Sequence, residues 1–278
     1  MNWKIVFDSG CDIRNLNDYD VDMSLVPLSI HLGDKTVRDD GNTLLHDFQD
    51  MLDNTPGKTG SACPSPGDWQ DAFEEADNVI AITISGGESG SYQSALIAKN
   101  MVLDDYPGKN IFVFDSGSGG GTIEFLVNKA IELIHKGESF ETICNEIVEA
   151  RKRSEVFFLL QHVDNVISNG RLNPVIGKAV EALKLCILAT ATEEGKFDVL
   201  SKNRTFKKDM DKCIEECVKR NLKGKETLIS HCLNENGAKL MKEKLLKQYP
   251  EAKIEIRQTG LLTGYYAEKG GLIVAIQD

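Results

Sequence analysis

No apolar run in this 278-residue chain approaches the ~20 residues a membrane-crossing helix needs; Val156 to Leu160 is among the longest. Positive charge is in deficit. The chain carries 32 Lys plus Arg against 43 Asp plus Glu, a formal charge of −11, whereas phosphate binding needs clustered cations. Cysteine pairing is missing too: seven Cys in scattered, unpaired spacing read as reduced thiols of the cytoplasm. The opening Met1-Asn2-Trp3-Lys4-Ile5-Val6-Phe7 is too short for a signal peptide and runs straight into Asp8. Repeats and low-complexity tracts are absent. These gaps exclude a membrane protein, a disulfide scaffold, a nucleic-acid binder and standing adhesion to anionic lipid. What is present is ordinary globular material, 41% hydrophobic and 27% charged, enough for one large domain or two smaller ones.

The first half alternates strand and helix patterns. Lys4 to Phe7, Val79 to Ile84 and Asn110 to Phe114 are near-continuous apolar runs, suited to a parallel sheet buried on both faces. Trp69, Ala72, Phe73 and Ala76 keep helical spacing after Pro64-Ser65-Pro66-Gly67. Ile123, Leu126, Val127, Ala130 and Ile134 repeat that stripe before Gly137, and Ser139 caps a further helix through Ile143, Cys144, Ile147 and Val148. The order predicts a doubly wound α/β layer. The second half predicts strands at 156–161, 185–191, 197–200, 227–230, 253–257 and 271–276, with helices over 206–220 and 237–248. Ala191 to Lys196 reads as a hairpin turn, which brings in antiparallel pairing. The fold class expected is α/β in two domains: residues 1–153 with a parallel sheet, and 154–278 with a mixed, partly antiparallel one, the ligand site lying between them.

Ligands of open parallel sheets bind beyond the carboxyl ends of the strands. Here those ends carry Asp8-Ser9-Gly10, Ser85-Gly86-Gly87-Glu88-Ser89-Gly90-Ser91 and Asp115-Ser116-Gly117-Ser118. Small hydroxyls, glycines and helix N-termini at one rim suit an anion, which places Ser85, Asp115 and Ser116 at the rim of a site. The same residues are also what ordinary βα turns use for capping. A phosphate loop is absent, and Gly117-Ser118-Gly119-Gly120-Gly121-Thr122 lacks the last Gly of a dinucleotide fingerprint. Gly87-Glu88-Ser89-Gly90-Ser91 falls one residue short of a nucleophile elbow. An esterase-like hydrolase using Ser89, with His231 or His162 as base, is therefore the alternative. Cys213 and Cys217, with Met210, Ile214 and Val218 on one helix face, read as packing rather than zinc ligands. No metal site and no cofactor is expected. Cys63, beside Pro64, has nothing adjacent in sequence to activate it.

Taken in order, Asp8-Ser9, Ser61-Ala62-Cys63-Pro64-Ser65-Pro66, Ile84-Ser85 with Ser89-Gly90-Ser91-Tyr92, Asp115-Ser116 and Asn169-Gly170-Arg171-Leu172 resemble the DegV family of bacterial fatty-acid-binding proteins. The resemblance spans nearly the whole chain. It implies a non-catalytic cytoplasmic carrier that encloses one long-chain fatty acid and presents it to a fatty acid kinase. It also implies that Ser61 and Ser89 hold the carboxylate and that Arg171 lies near the mouth. Three departures stand out. The family's His in Gly-x-His-x-Gly-Pro-Gly falls on Leu262 of Gly260-Leu261-Leu262-Thr263-Gly264-Tyr265-Tyr266, a hydroxyl of the Asp-Ser loop is shifted to Ser118, and Glu88 replaces the usual Leu before Ser89. They bear on the kinase hand-off more than on binding.

Overall fold

A computed structural model describes residues 2–278. Along the chain run β1 (Trp3–Asp8), β2 (Met23–Val26), β3 (Ser29–Leu32), β4 (Lys35–Arg38), α1 (Leu45–Asp53), β5 (Thr59–Ala62) and α2 (Pro66–Glu74). Then come β6 (Asn78–Thr83), α3 (Ser91–Asp105), β7 (Asn110–Asp115), α4 (Gly121–His135) and α5 (Phe140–Lys152). The remainder is β8 (Ser154–Leu160), α6 (Asp164–Ser168), α7 (Pro174–Leu183), β9 (Cys186–Ala191), β10 (Phe197–Asn203) and α8 (Phe206–Lys219). It closes with β11 (Glu226–His231), α9 (Glu235–Gln248), β12 (Lys253–Gln258), α10 (Leu261–Ala267) and β13 (Leu272–Gln277).

The first sheet, β2-β1-β6-β7, is parallel throughout. Its side chains alternate faces with the period of two that a pleated strand imposes. Ile5, Phe7, Ile80 and Ile82 pack on α4 and α5, while Val6, Val79 and Ala81 meet Trp69 and Phe73 of α2 and Ala95 and Ala98 of α3. Helices on both faces make the doubly wound layer that the apolar runs predict. α2 starts where the sequence says it should. Ser65 caps it, its Oγ accepting from Asp68 N at 3.2 Å while Asp68 Oδ2 accepts from Ser65 N at 2.9 Å, and Pro66 takes the first turn.

The second sheet, β10-β9-β8-β13-β11-β12, is antiparallel except for the parallel pair β11–β12. The predicted hairpin joins β9 to β10. One face of this sheet, with Phe157, Leu159, Val274 and Ile276, packs on α8 and α9. Met210, Cys213 and Cys217 of α8 are buried there, but Val218 is not: it is 51% exposed. At 100° per residue position 218 lies well around the helix from the stripe that 210, 213 and 217 share. Among the described residues no group of three or more His, Cys, Asp or Glu could hold a metal, all seven cysteines are free, and no helix is long and apolar enough to cross a membrane.

The segment between β2 and α2 departs from the sequence expectation. It forms a small antiparallel sheet, β4-β3-β5, with α1 beside it. Strands of four residues such as Ser-Ile-His-Leu, in which Ile30 and Leu32 alone are buried, are too short to show a period. α10 was hidden for the opposite reason: it is buried nearly all round and shows no stripe.

α4 joins the layers. Its flank packs on the first sheet through Ile123 and Leu126, and Phe125 meets Leu228 and Ala275 of the second. Glu124, 2% exposed, reaches Arg257 of β12 across this contact. The approach is closest at Gly121, where a Cβ would stand 2.9 Å from both Ala275 Cβ and Leu228 Cβ. Gly121→Ala should therefore overpack the contact and cost about 1–3 kcal/mol, seen as a lower urea midpoint at unchanged m-value; an unshifted midpoint would mean that the two layers are not held in register here.

Candidate functional site

The site begins at the ends of β1, β6 and β7. Asp8, fully buried at the end of β1, accepts from Gly10 N at 3.0 Å, from Ile84 N at 3.0 Å and from Ser91 Oγ at 2.5 Å. One carboxylate thus ties β1 to the exit of β6 and to the first residue of α3. Asp115, at the end of β7, repeats the device, its Oδ1 accepting from Gly86 N at 2.9 Å and Gly117 N at 2.8 Å. Ser85 N donates to the Ser118 carbonyl at 2.8 Å, and Gly120 N to that of Gly10 at 2.7 Å. The three loops do converge on one mouth. Their carboxylates, however, are spent on holding the loops together.

Behind these loops lies a cavity of about 360 Å³, within the usual size of small-molecule sites. Its body is apolar: Leu28 and Ile84 from the first layer, Leu160 and Ile273 from the second sheet, Val166 from α6 and Leu262 from α10. Several of its polar residues form one linked cluster, the polar end of the site. Ser61 of β5 shares a hydrogen bond of 2.7 Å with the Tyr266 hydroxyl of α10. Arg171, in the loop after α6, lies over the Tyr266 ring at 5.9 Å and donates through Nε to the Glu88 carbonyl at 3.2 Å and through Nη1 to the Asn169 carbonyl. Ser89 follows Glu88 just before the N-terminus of α3, its Oγ accepting from Ser91 N at 3.2 Å. That helix end adds its partial positive charge to the same corner.

Ser61, Ser89, Ser85 and Arg171, singled out from the sequence, all line this one cavity. Ser85 also donates to the Gly195 carbonyl of the β9–β10 turn at 2.6 Å. Asp115 and Ser116 are placed differently. They stand outside the lining, Asp115 bracing the loop as described and Ser116 donating to the Ser118 carbonyl at 3.0 Å. The histidines invoked for a hydrolase are elsewhere. His231 Nδ1 accepts from Asn234 N at 3.2 Å, His162 borders a separate polar pocket, and among the described residues no histidine lines the cavity that holds Ser89.

Two groups at the polar end went unrecognised in the sequence. Tyr266 is one: Leu262, at the position of the family's His, turns an apolar side chain to the cavity, and the hydroxyl arrives four residues later on the same helix. The signal was the Tyr265-Tyr266 pair standing where Pro-Gly is usual. Burial pushes the Tyr266 hydroxyl above its ordinary range, opposed by its bond to Ser61. Glu88 is the other. It stands as a departure in the sequence, and the structure sets it at the cavity border with its carboxylate on Phe197 N, pushed up by burial against the pull of Phe197 N, Arg171 and Lys196. The helix carrying Tyr266 is itself clamped. Asp39 accepts from Leu261 N at 3.1 Å and Leu262 N at 2.9 Å while pairing with Arg14 at 2.7 Å, and Asp12 accepts from Gly260 N at 2.8 Å. These bonds satisfy the first-turn donors of α10 that would otherwise be buried unpaired.

Comparison with known proteins places this architecture. Residues 2–277 match the model of the DegV family. A DegV domain-containing protein of Streptococcus gordonii is 37% identical over 279 residues, covering 100% of this chain and 99% of the relative. Among solved structures, the Streptococcus pneumoniae fatty acid kinase B3 protein loaded with linoleic acid superimposes with a TM-score of 0.95 at 36% identity, over 100% of this chain and 99% of that one. A DegV family protein from Eubacterium eligens loaded with heptadecanoic acid follows at 0.93 and 29%, over 99% of each chain.

Burial holds Asp8 in its protonated form more readily than water would, raising its pKa from the ordinary 3.8 to about 6 against the donors it collects. Between about pH 4 and pH 6 the native state then keeps a proton that the unfolded chain has lost, so stability falls as pH rises through that window. Asp8→Asn should accordingly be more damaging at pH 4 than at pH 7, by roughly 3 kcal/mol at 1.36 kcal/mol per pK unit. Urea unfolding of both proteins at the two pH values measures this, and an equal cost at both would show that Asp8 ionises as in water.

Proposed function

Because the chain belongs to the DegV family, we propose that it binds one long-chain fatty acid, with the carboxylate on the Ser61 and Ser89 hydroxyls and the acyl tail in the apolar cavity. The observation that carries this reading is a mostly apolar cavity with one linked cluster of polar groups, Ser61, Tyr266, Arg171 and the Glu88–Ser89 segment. A carboxylate needs only a few donors, whereas affinity must come from the tail. At ~0.8 kcal/mol per buried methylene, about fifteen methylenes offer roughly 12 kcal/mol before entropic costs.

The geometry supports these roles. A hydroxyl donates once and accepts twice, so with Tyr266 as donor to Ser61 Oγ, the Ser61 proton is free for the ligand. Arg171 sits at the rim, its bonds to the Glu88 and Asn169 carbonyls fixing the guanidinium beside the carboxylate. Ser85 edges the same mouth, and Asp115 and Ser116 act through the loop they brace. Residues 1–153 and 154–278 are read as two domains that both contribute lining to the cavity. The chain does no chemistry on its ligand in this reading; likeness to a fatty acid kinase B protein supports presentation of the bound acid to a kinase. Free thiols, among them Cys63 at the cavity, suit the reducing cytoplasm.

Extraction of freshly purified protein followed by mass spectrometry should recover about one long-chain fatty acid per chain. Removing either hydroxyl deletes a hydrogen bond to a charged group, worth about 1.5–3 kcal/mol. Ser61→Ala and Ser89→Ala should therefore each weaken oleate binding roughly ten- to a hundredfold. Two variants that bind oleate as tightly as the wild type would remove Ser61 and Ser89 as the anchors.

A further inference from the structure

The polar end of the cavity holds a carboxylate as well as cations. Glu88 borders the cavity one residue before Ser89. Its Oε1 accepts from Phe197 N, at the start of β10, at 2.7 Å, so the carboxylate is anchored where it stands. The neighbouring contact is equally close: Gly195 of the turn, at φ +72°, lies against Ser85 with no room for a Cβ. Glu88 and Ser85 thus both tie the β9–β10 turn to the loop that carries Ser89.

The charged and titratable groups facing Glu88 come from three elements: Arg171 after α6, Lys196 of the turn and Tyr266 of α10. The two cations favour its ionised form, but burial opposes them and prevails, leaving the carboxyl above the ordinary glutamate range. A ligand carboxylate on Ser61 and Ser89 would add a second negative charge beside this one. Like charges in a half-buried site raise one another's proton affinity.

We infer that Glu88 is a specificity-determining residue for the ligand's head group, making a long-chain carboxylate bind together with a proton taken up at Glu88, while a long-chain ligand with a neutral head group binds without one. The inference rests on the fatty-acid reading above. The step balances simply: solvent supplies the proton, one O–H bond forms on Glu88, and the ligand carboxylate stays ionised. Below the pKa of Glu88 in the free protein the carboxyl is already neutral and affinity is highest. Above its pKa in the complex the ligand meets an ionised Glu88 and affinity is lowest. Between the two, affinity falls as pH rises.

Oleate and oleyl alcohol serve as probes, titrated calorimetrically into the full chain and into Glu88→Gln from about pH 5.5 to about pH 8.5, in two buffers of different ionisation enthalpy. Gln keeps an acceptor for Phe197 N and removes only the charge. In the wild type, oleate binding should take up protons and weaken about tenfold across the range, one pK unit being tenfold. Glu88→Gln should bind oleate about tenfold tighter at the upper end with a flat profile, and oleyl alcohol should be flat with pH in both proteins. Oleate binding without proton uptake, or a slope that survives Glu88→Gln, overturns the inference while leaving the fatty-acid reading intact. Failure of both probes to bind either protein would sink that reading and this inference with it.

Discussion

A fully buried carboxylate holds this structure's working end together. Asp8 lies beyond the reach of water, and a group so placed must be met by donors or be costly to bury. The donors it finds are the main-chain N–H of Gly10 and Ile84 and the hydroxyl of Ser91. They come from the turn after β1 and from the two ends of the β6–α3 connection. Satisfying Asp8 thus fixes where β1 ends, where β6 ends and where α3 begins, and Ser89 hangs from the last two. The loop that carries Ser89 to the cavity is placed by an electrostatic requirement rather than by its own preferences.

A second pair of buried carboxylates does for α10 what Asp8 does for α3. Asp12 and Asp39 come from the first forty residues, yet they cap a helix more than two hundred residues later. α10 supplies Leu262 to the apolar wall and Tyr266 to the polar end. Because the capping is done from outside the helix, its seven residues need no capping side chain of their own. A helix of only seven residues is thus held by a part of the chain far from it in sequence.

The cavity survives because rigid, close-packed layers surround it. α4 is buried against both sheets, and its glycine at 121 lets the second sheet approach without a gap. Elsewhere the space between the layers is bridged by polar contacts at the mouth, from Ser85 to Gly195 and from Glu88 to Phe197. Close packing at Gly121 and hydrogen bonds at the mouth both join the layers.

The sequence by itself determined the parallel sheet, its helices on both faces and the hairpin of the second sheet, because burial on a strand or helix leaves a period that local spacing reveals. Its strand ends pointed to Ser85 and Ser89, and its resemblance to the DegV family to Ser61 and Arg171, all of which the fold brings to one cavity. It could not show β3, β4 and β5, whose four-residue strands are too short for a period, nor α10, which is buried on every side. Nor could it tell Asp115 and Ser116, which brace a loop, from Ser85, which faces the cavity, since turn residues and site residues are chemically the same. Tyr266 and Glu88 gained their places from partners far away in the chain, Ser61 in one case and Phe197 in the other. Only the tertiary structure decided those, because a hydrogen bond between distant residues leaves no pattern in the neighbours of either.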